Sequence, residues 1–316
     1  MNKHKSVVWA YIFLVFSMIC WGTSYVFTSI VLECTNPLTL VSLRLLISDI
    51  LLWIIILIFF RKYAIQKKDW LYLFFLAMCE PFLYYIGETY ALDRISPVIA
   101  STIVATIPIF TMLAMIVFWK QKMPVKNIVG VILSLLGIVF MVVNKNMEID
   151  VDVWGIMLIF LAVFASVGYG LIINDLSARI HPIWLIALQN TIGLGLFFPL
   201  WLTSGQPIDY KISGETVILT TLSPEVVFWG SIVILSVFSS TIAYMLYSIS
   251  ISKIGIARSA VFTNAIPIVT AITAFLLTGE MMSPIKIFGM CVIILGLILT
   301  QLDSTKTSHS TINCKE

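Results

Sequence analysis

Apolar and polar segments alternate along the chain with a regular spacing. Ten runs of mostly apolar residues are separated by shorter segments that contain charges, proline or glycine. A helix needs about 20 apolar residues to cross the hydrocarbon core of a bilayer, and each run approaches that length. The pattern predicts ten membrane-spanning helices, at residues 7–31, 38–60, 70–92, 97–118, 126–144, 153–174, 183–203, 226–250, 257–278 and 284–302.

The third run begins a repeat that returns in the eighth run. Residues 85–137 align without a gap on residues 244–296, a shift of 159, with 11 identities among the 53 pairs. Several identities fall on residues that shape or pack helices. These pairs are Pro108 with Pro267, Gly130 with Gly289, and Gly137 with Gly296.

The repeat divides the chain into residues 1–148 and residues 149–303, each with five of the predicted spans. Because five is odd, the second copy must enter the membrane from the opposite side. The sequence therefore predicts an all-α integral membrane protein of ten transmembrane helices, arranged as two inverted five-helix repeats. Such repeats are typical of secondary transporters, which bind substrate between the copies near the bilayer midplane. The last residues, 304–316, form a polar tail that is predicted to be disordered.

Composition supports a protein embedded in lipid. The 316 residues are 60% hydrophobic and only 11% charged, whereas a soluble domain carries about 25% charged residues. The chain therefore has too little polar surface for a water-soluble particle. Its five cysteines show no ligand-type spacing, so we expect no disulfide, no metal site and no cofactor. We also expect no nucleic-acid partner, since no segment forms a basic patch of that kind.

The lysines and arginines indicate an orientation. With the N-terminus in the cytoplasm, fourteen of them fall on the cytoplasmic side and four on the other, while Arg44 lies inside a span. Cytoplasmic loops carry the excess of positive charge in membrane proteins. The sequence therefore predicts a multi-pass protein of the plasma or inner membrane with both termini in the cytoplasm.

At the level of motifs, the chain resembles a known family along nearly its whole length. The features that carry the resemblance are the first-span segment Cys20 to Val26, Arg44 seven residues after Pro37, the stretch from Ala91 to Pro108, and Gly279-Glu280 followed by Gly289 and Gly296. Their order resembles the EamA-type transporters of the drug/metabolite transporter superfamily. The resemblance implies ten helices in two inverted repeats and secondary transport by alternating access through a central cavity. It also implies a small-molecule substrate, often an exported amino acid or related metabolite.

Two positions depart from the repeated pattern of that family. Gln121 stands where the second repeat has Glu280, and Gln189 stands where the first repeat has Arg44. The charged features therefore belong to one repeat only. Export of an amino acid is the leading interpretation, and efflux of a cationic drug or uptake of a small metabolite is the alternative. The sequence does not define the oligomeric state.

Four charged residues within the predicted spans stand out as candidates: Arg44, Asp49, Glu80 and Glu88. A charge within the bilayer is unfavourable, faces the protein interior and usually marks function. With a helical rise of ~1.5 Å per residue, Arg44 and Glu88 lie at similar depths, so we expect an ion pair. Asp49 and Glu80 both lie near the midplane, and two neighbouring carboxylates there could not both stay charged.

Glu80 is the hypothesised proton-coupling residue, either alone or together with Asp49. A carboxylate that accepts a proton near the midplane is what a proton-driven transporter needs. Pro81 follows directly and removes a backbone donor, so we expect the helix to kink there. The alternative is a salt-bridge network of Arg44, Asp49 and Glu80 that only fixes the packing of the second and third spans.

Aromatic and amide side chains within the spans are candidates for a cavity wall. Buried tyrosine and tryptophan need a partner for their polar atom, which makes them suitable for binding a small solute. The candidates for substrate contact are Trp21, Tyr25, Tyr84, Tyr85, Glu88, Tyr169, Gln189, Asn190, Tyr244 and Asn264. Pro108 and Pro267 are candidate hinges because proline frees a backbone carbonyl one turn earlier. Helix packing is the alternative role for all of them.

Other functional classes fit the sequence poorly. An intramembrane enzyme would need a nucleophile with a base or a set of metal ligands, yet His4, His181 and His309 all lie outside the spans. The hydrolase and metalloprotease motifs are absent as well. A channel would need a polar lining or rings of charge, which the spans do not supply. We therefore expect a transporter and no enzyme.

Overall fold

A computed structural model describes residues 3–60, 65–119, 125–143, 151–177, 179–204, 208–210, 222–254, 259 and 261–301. Within these ranges the regular structure is helical, and no β-strand occurs. The tail at 304–316 and several basic loop residues used for the predicted orientation lie outside the described residues.

Length and hydropathy single out seven described helical segments that can cross a membrane. They are Val7–Leu32, Pro37–Phe59, Asp69–Leu92, Pro97–Ala114, Val153–Ile173, Pro182–Ser204 and Pro224–Ile254. Three shorter apolar helices accompany them at Asn127–Val142, Phe262–Thr278 and Pro284–Leu299. The described part of each predicted span coincides with helical structure.

The described part of the first half of the chain contains seven α-helices. They are α1 (Lys3–Leu32), α2 (Pro37–Phe59), α3 (Asp69–Ala77), α4 (Tyr84–Leu92), α5 (Pro97–Val104), α6 (Ile107–Trp119) and α7 (Val125–Val142). A kinked segment, Met78–Leu83, joins α3 to α4; it has π-type turns around a non-helical residue, Glu80, and is called the first π stretch below. The described part of the second half contains α8 (Val153–Ser177), α9 (Pro182–Ser204), α10 (Pro224–Val233), α11 (Tyr244–Ile254), α12 (Ile266–Thr278) and α13 (Pro284–Gln301). A π-helical stretch, Ile234–Ala243, joins α10 to α11, and a 3-10 turn, Val261–Ala265, precedes α12.

Local sequence explains where two of these helices begin. Asn36 accepts a hydrogen bond from the backbone N–H of Thr39 at 2.8 Å, and proline occupies the first position of α2. Ser96 and Pro97 repeat this arrangement at the start of α5. A capping side chain satisfies a free backbone donor of the first turn, and proline is tolerated at a position whose N–H would be unpaired.

One ion pair lies at each end of the contact between the α3–α4 pair and α8. Arg179 bonds buried Asp69 at 3.0 Å beyond one end, and Arg94 bonds Asp152 at 3.2 Å at the other. Asp152 also accepts hydrogen bonds from the first N–H groups of α8. The backbone N–H of Gly155 and the nearby Arg94 guanidinium hold the pKa of the Asp152 carboxyl below its usual range.

Helices α7 and α13 pack closely against each other with opposite directions. A Cβ atom at Gly137 would lie 2.7 Å from the carbonyl oxygen of Gly289, and Ser134 bonds the carbonyl of Ile293 at 3.3 Å. Gly296, further along α13, contacts Gly130, earlier on α7. Rising numbers on one helix therefore meet falling numbers on the other, which defines an antiparallel pair. Glycine is needed here because the two backbones touch.

Substituting Gly137→Val is expected to lower the unfolding temperature in detergent by several degrees. The valine side chain has no space between the two backbones, and overpacking of this kind destabilises by about 1–3 kcal/mol. The matched control is Gly195→Val on α9, where a Cβ atom would have nothing within 4 Å. Equal unfolding temperatures for the two variants would show that the α7–α13 contact is looser than described.

Candidate functional site

The two π-helical stretches occupy equivalent positions in the two halves. The 159-residue shift of the repeat carries Met78–Leu83 onto residues 237–242, inside Ile234–Ala243. The two segments share no identical residue. A π-helical turn contains an extra residue, disturbs the regular backbone hydrogen bonds and often marks a functional site. Both stretches carry buried polar side chains, Glu80 in the first and Ser239, Ser240 and Thr241 in the second.

Glu80 lies at the break between α3 and α4. Its backbone is extended, with φ −145° and ψ 120°, so the interruption expected near Pro81 is present. Gly193 on α9 leaves room for the Pro81 ring. The Glu80 carboxylate is buried and accepts a hydrogen bond from the Tyr244 hydroxyl. Because Tyr244 belongs to α11, this bond joins the first half of the chain to the second.

A second contact between the halves mirrors the first. Under the repeat, Tyr244 corresponds to Tyr85, and Glu80 corresponds to Ser239. The Tyr85 hydroxyl lies 3.3 Å from the Ser240 hydroxyl, next to Ser239. Each π stretch therefore contacts the tyrosine that lies just after the other stretch: Glu80 contacts Tyr244, and Ser240 contacts Tyr85. The contacting residue is a glutamate in the first half and a serine in the second.

Arg44 is held by three groups at once. Its Nε donates to the Ser240 hydroxyl at 2.6 Å, and Nη2 donates to the Ser239 hydroxyl at 3.0 Å. The guanidinium also lies over the Tyr85 ring, 4.4 Å from the ring centre. A planar guanidinium suits this combination of directed bonds and ring stacking, whereas an ammonium group does not.

The expected ion pair between Arg44 and Glu88 is present. Arg44 Nη1 lies 3.8 Å from Glu88 Oε2, and the two side chains are only 3% and 6% exposed. That distance is too long for a hydrogen bond. Within the described part of the chain, neither atom has a hydrogen-bond partner. The pair therefore leaves one cationic donor and one anionic acceptor unsatisfied side by side.

Two tyrosines extend this cluster towards α1. The Tyr25 and Tyr84 hydroxyls lie 3.1 Å apart, and the Tyr84 hydroxyl donates to Glu88 Oε1 at 3.2 Å. All three side chains are buried. The hydrogen bond from Tyr84 to Oε1 orients the Glu88 carboxylate so that its other oxygen, Oε2, lies nearest to Arg44.

Further aromatic rings lie beside Tyr244, the hydrogen-bond partner of Glu80. Trp21 contacts the rings of Tyr244 and Tyr247, with centre distances of 5.0 and 4.9 Å. Its indole N–H donates to the backbone carbonyl of Ser239 at 3.3 Å, within the second π stretch. Tyr247 was not among the residues selected from the sequence, although it occupies the position that corresponds to Glu88 in the repeat.

The amide candidates on α9 also reach the centre. The Tyr169 hydroxyl donates to Gln189 at 3.4 Å, and the Asn190 amide donates to the Ser48 hydroxyl at 2.9 Å. Ser48 lies 2.8 Å from the Thr241 hydroxyl of the second π stretch. A chain of polar side chains thus runs from α9 through α2 towards the serines that hold Arg44.

The expectation that Asp49 lies beside Glu80 is wrong. Asp49 accepts a hydrogen bond from Thr191 at 2.7 Å on the other side of α2, and Thr191 is exposed at the molecular surface. The charged residues near Glu80 are Glu88 and Arg44. Consecutive residues of a helix point about 100° apart, so equal depth does not place two side chains on facing sides.

The remaining candidates lie around the cluster. Asn264 is buried in the 3-10 turn Val261–Ala265, which packs on α1. Pro108 and Pro267 are each the second residue of a helix, α6 and α12, and each follows a break in regular α-helix. Their role as hinges stays a prediction. No group of histidine, cysteine or acidic residues in the described ranges has the arrangement of a metal site.

Sequence reasoning missed the serine and threonine residues of the centre. Ser239, Ser240 and Thr241 are three consecutive hydroxyl residues in an otherwise apolar run, and that concentration is the signal that could have identified them. Ser48 lies one turn after Arg44 on the same face of α2, so it could have been included with Arg44.

Comparison with known proteins gives consistent results over nearly the full length. The EamA-like transporter family matches twice, at residues 8–143 and 153–302. An uncharacterized transporter of Archaeoglobus fulgidus is 24% identical over 92% of this chain and 97% of its own. The uncharacterized transporter YcxC of Bacillus subtilis is 26% identical over 97% and 96%. A solved structure described only as a protein crystal structure shares the fold, with a TM-score of 0.64, 15% identity and coverage of 93% and 98%.

Proposed function

The chain belongs to the EamA-like transporter family, and from that membership we propose that it is a secondary active transporter that exports an amino acid or a related zwitterionic metabolite. Transport proceeds by alternating access through the central cluster of Arg44, Glu88 and Glu80. The substrate binds between the two repeats, within the surrounding bilayer.

The observation that carries this proposal is the pair of unsatisfied atoms, Arg44 Nη1 and Glu88 Oε2. They lie 3.8 Å apart and are buried. A substrate carboxylate satisfies the guanidinium donor, and a substrate ammonium satisfies the carboxylate acceptor. A zwitterion supplies both groups within one small molecule. A solute with a single charge would leave one of the two buried atoms unpaired, which is unfavourable.

The antiparallel α7–α13 pair supports the inverted arrangement of the repeats. The two helices occupy the same place in their repeats, since Gly130 corresponds to Gly289 and Gly137 to Gly296. Equivalent helices that run in opposite directions are what two inverted copies require. On this basis the seven long segments and the three shorter apolar helices are ten transmembrane helices. The excess of positive charge on one side supports a cytoplasmic location for both termini.

Glu80 is the proposed coupling residue. It is a buried carboxylate at a helix break, and its bond to Tyr244 joins the two halves of the molecule. Gain or loss of a proton at Glu80 changes that bond and therefore changes how the halves hold together. Asp49 is not part of this role, because its partner is Thr191.

The test of the proposed function is counterflow into proteoliposomes with three matched solutes. Leucine carries both charges, 4-methylpentanoate lacks the ammonium group, and 3-methylbutylamine lacks the carboxylate. We expect saturable uptake of labelled leucine. The single-charge analogues should compete at least about tenfold more weakly, since a lost hydrogen bond to a charged group weakens binding by about 1.5–3 kcal/mol.

The same experiment decides between this proposal and cation efflux. The rings of Trp21, Tyr244 and Tyr247 next to Glu80 are the observation that favours a cation, because aromatic faces attract positive charge. If the amine alone competes as well as the amino acid, the protein is a cation carrier and the zwitterion proposal fails. Oppositely directed substrate gradients distinguish export from uptake.

A further inference from the structure

A second polar group lies where α2 and α9 meet, on the opposite side of α2 from the central cluster. Ser48 and Asn190 face the interior and bond each other at 2.9 Å. The next residue on each helix faces outwards, and there Thr191 lies 2.7 Å from the Asp49 carboxylate. Asp49 is half-buried, and Thr191 is exposed. We call this outward-facing pair the seam site.

The seam site lies deep in the membrane. Asp49 is twelve residues from the first residue of α2 and ten from the last, which corresponds to about 18 Å and about 15 Å along the helix. The hydrocarbon core is about 30 Å thick, so Asp49 lies near its middle. An acidic residue at that depth is unfavourable unless it has a partner, and it usually marks a functional site.

The protein supplies Asp49 with hydrogen-bond donors, but with no cation among the described residues. The ion pairs found among the described residues involve Glu88, Asp152 and Asp69, and none includes Asp49. Thr191 has one hydroxyl proton, and its oxygen also lies 2.9 Å from the carbonyl of Ala187. The Thr191 proton is therefore shared, the Trp53 side chain is the second donor to Asp49, and within the described ranges no positive charge accompanies this carboxylate.

The surroundings suit an alkyl chain. The Trp53 indole donates to the Thr191 hydroxyl at 2.9 Å, and its ring packs against Trp184 with centres 5.7 Å apart. Ile50 and Ile54, the neighbours of Asp49 on α2, are about half exposed at 52% and 47%. A ligand at the seam site would thus have a polar contact at one end and apolar or aromatic contacts along its length.

We propose that the seam site binds an amphiphilic alkylamine from the bilayer. The amine crosses the lipid uncharged, accepts the proton of the Asp49 carboxyl group, and remains as an ammonium paired with the carboxylate. The pair has no net charge, so it is tolerated at this depth. Lipid headgroup amines lie at the membrane surface and do not reach Asp49. This site is separate from the central cluster, and the inference does not depend on the proposed substrate.

Carbodiimide labelling tests the proposal. Dicyclohexylcarbodiimide partitions into lipid and reacts with carboxyl groups that lipid can reach, and mass spectrometry locates the modified residue. In proteoliposomes of the full chain we expect Asp49 to be labelled, while buried Glu80 and Glu88 remain unmodified. Dodecylamine in the lipid should lower the labelling rate of Asp49 at least about fivefold, and the same mole fraction of dodecanol should not.

Two variants show whether the geometry of the site matters. Leu57→Asp places a carboxylate at a position on α2 that is 79% exposed and two turns from Asp49. Carbodiimide labelling of Asp49 and of the introduced carboxylate is then measured in the same protein. Dodecylamine should protect Asp49 but not the introduced carboxylate. Thr191→Val should reduce the protection of Asp49, with an unchanged unfolding temperature as evidence of folding. Absence of label at Asp49, equal protection by dodecanol, or equal protection of the introduced carboxylate would each overturn the proposal.

Discussion

Substituting Arg44→Met is expected to abolish transport and to destabilise the protein. Methionine keeps much of the side-chain volume but loses the bonds to Ser239 and Ser240 and leaves the buried Glu88 carboxylate without its cation. Breaking a buried ion pair by removing one partner destabilises by about 3–5 kcal/mol. Transport of the zwitterion should fall by at least about a hundredfold, because the carboxylate of the substrate loses its donor.

A double variant separates the effect on folding from the effect on binding. Arg44→Met combined with Glu88→Gln removes both charges, so the unfolding temperature should recover much of what Arg44→Met loses. Transport should stay absent in the double variant, since both substrate contacts are gone. Arg94→Ala is the control: its ion pair with Asp152 is exposed and worth little, so transport and stability should be close to wild type. Normal transport by folded Arg44→Met protein would exclude Arg44 from the substrate site.

The Glu80→Gln variant is expected to keep substrate exchange across the membrane and to lose substrate accumulation driven by a pH gradient. Glutamine has the same shape and still accepts a hydrogen bond from Tyr244, but it cannot carry a proton. Counterflow should therefore remain within about threefold of wild type. Accumulation driven by a pH gradient should be lost, whereas wild type should gain up to about tenfold per pH unit for one coupled proton, since one unit corresponds to about 1.4 kcal/mol.

The measurement is steady-state accumulation in proteoliposomes at several imposed pH gradients. Tyr244→Phe should weaken coupling and keep exchange, because the proton-carrying group remains while its bond to the other half is lost. Glu225→Gln, an exposed glutamate in the first turn of α10, should behave as wild type. If Glu80→Gln still responds to the pH gradient like wild type, a group other than Glu80 carries the proton.

Depth along the helices was the most useful information in the sequence. It correctly paired Arg44 with Glu88, because the two residues lie on neighbouring helices at similar distances from the same ends. The same reasoning placed Asp49 beside Glu80 and was wrong. Hydropathy gives the position of a residue along a helix, but the direction of its side chain around the axis depends on which helices become neighbours, and one sequence does not contain that directly.

The breaks in the helices were only partly predictable. Pro81 indicated the first π stretch because proline removes a backbone donor. The second π stretch, Ile234–Ala243, contains no proline and therefore gave no such signal. Its serines were missed for a related reason. A hydroxyl within a span usually bonds its own helix, as Ser236 does with Ile232, so its presence alone does not indicate a shared site.

The equivalence of Glu80 and Ser239 has a consequence for how the two halves share their tasks. In an assembly of two identical five-helix chains, this position would have to be the same residue in both copies. With the two copies on one chain, the position became an acid in one half and a hydroxyl in the other. In the proposed mechanism, the acid carries the driving proton, and the hydroxyl holds the Arg44 guanidinium that binds the substrate. A duplicated chain can thus divide energy coupling from recognition, which a pair of identical subunits cannot do.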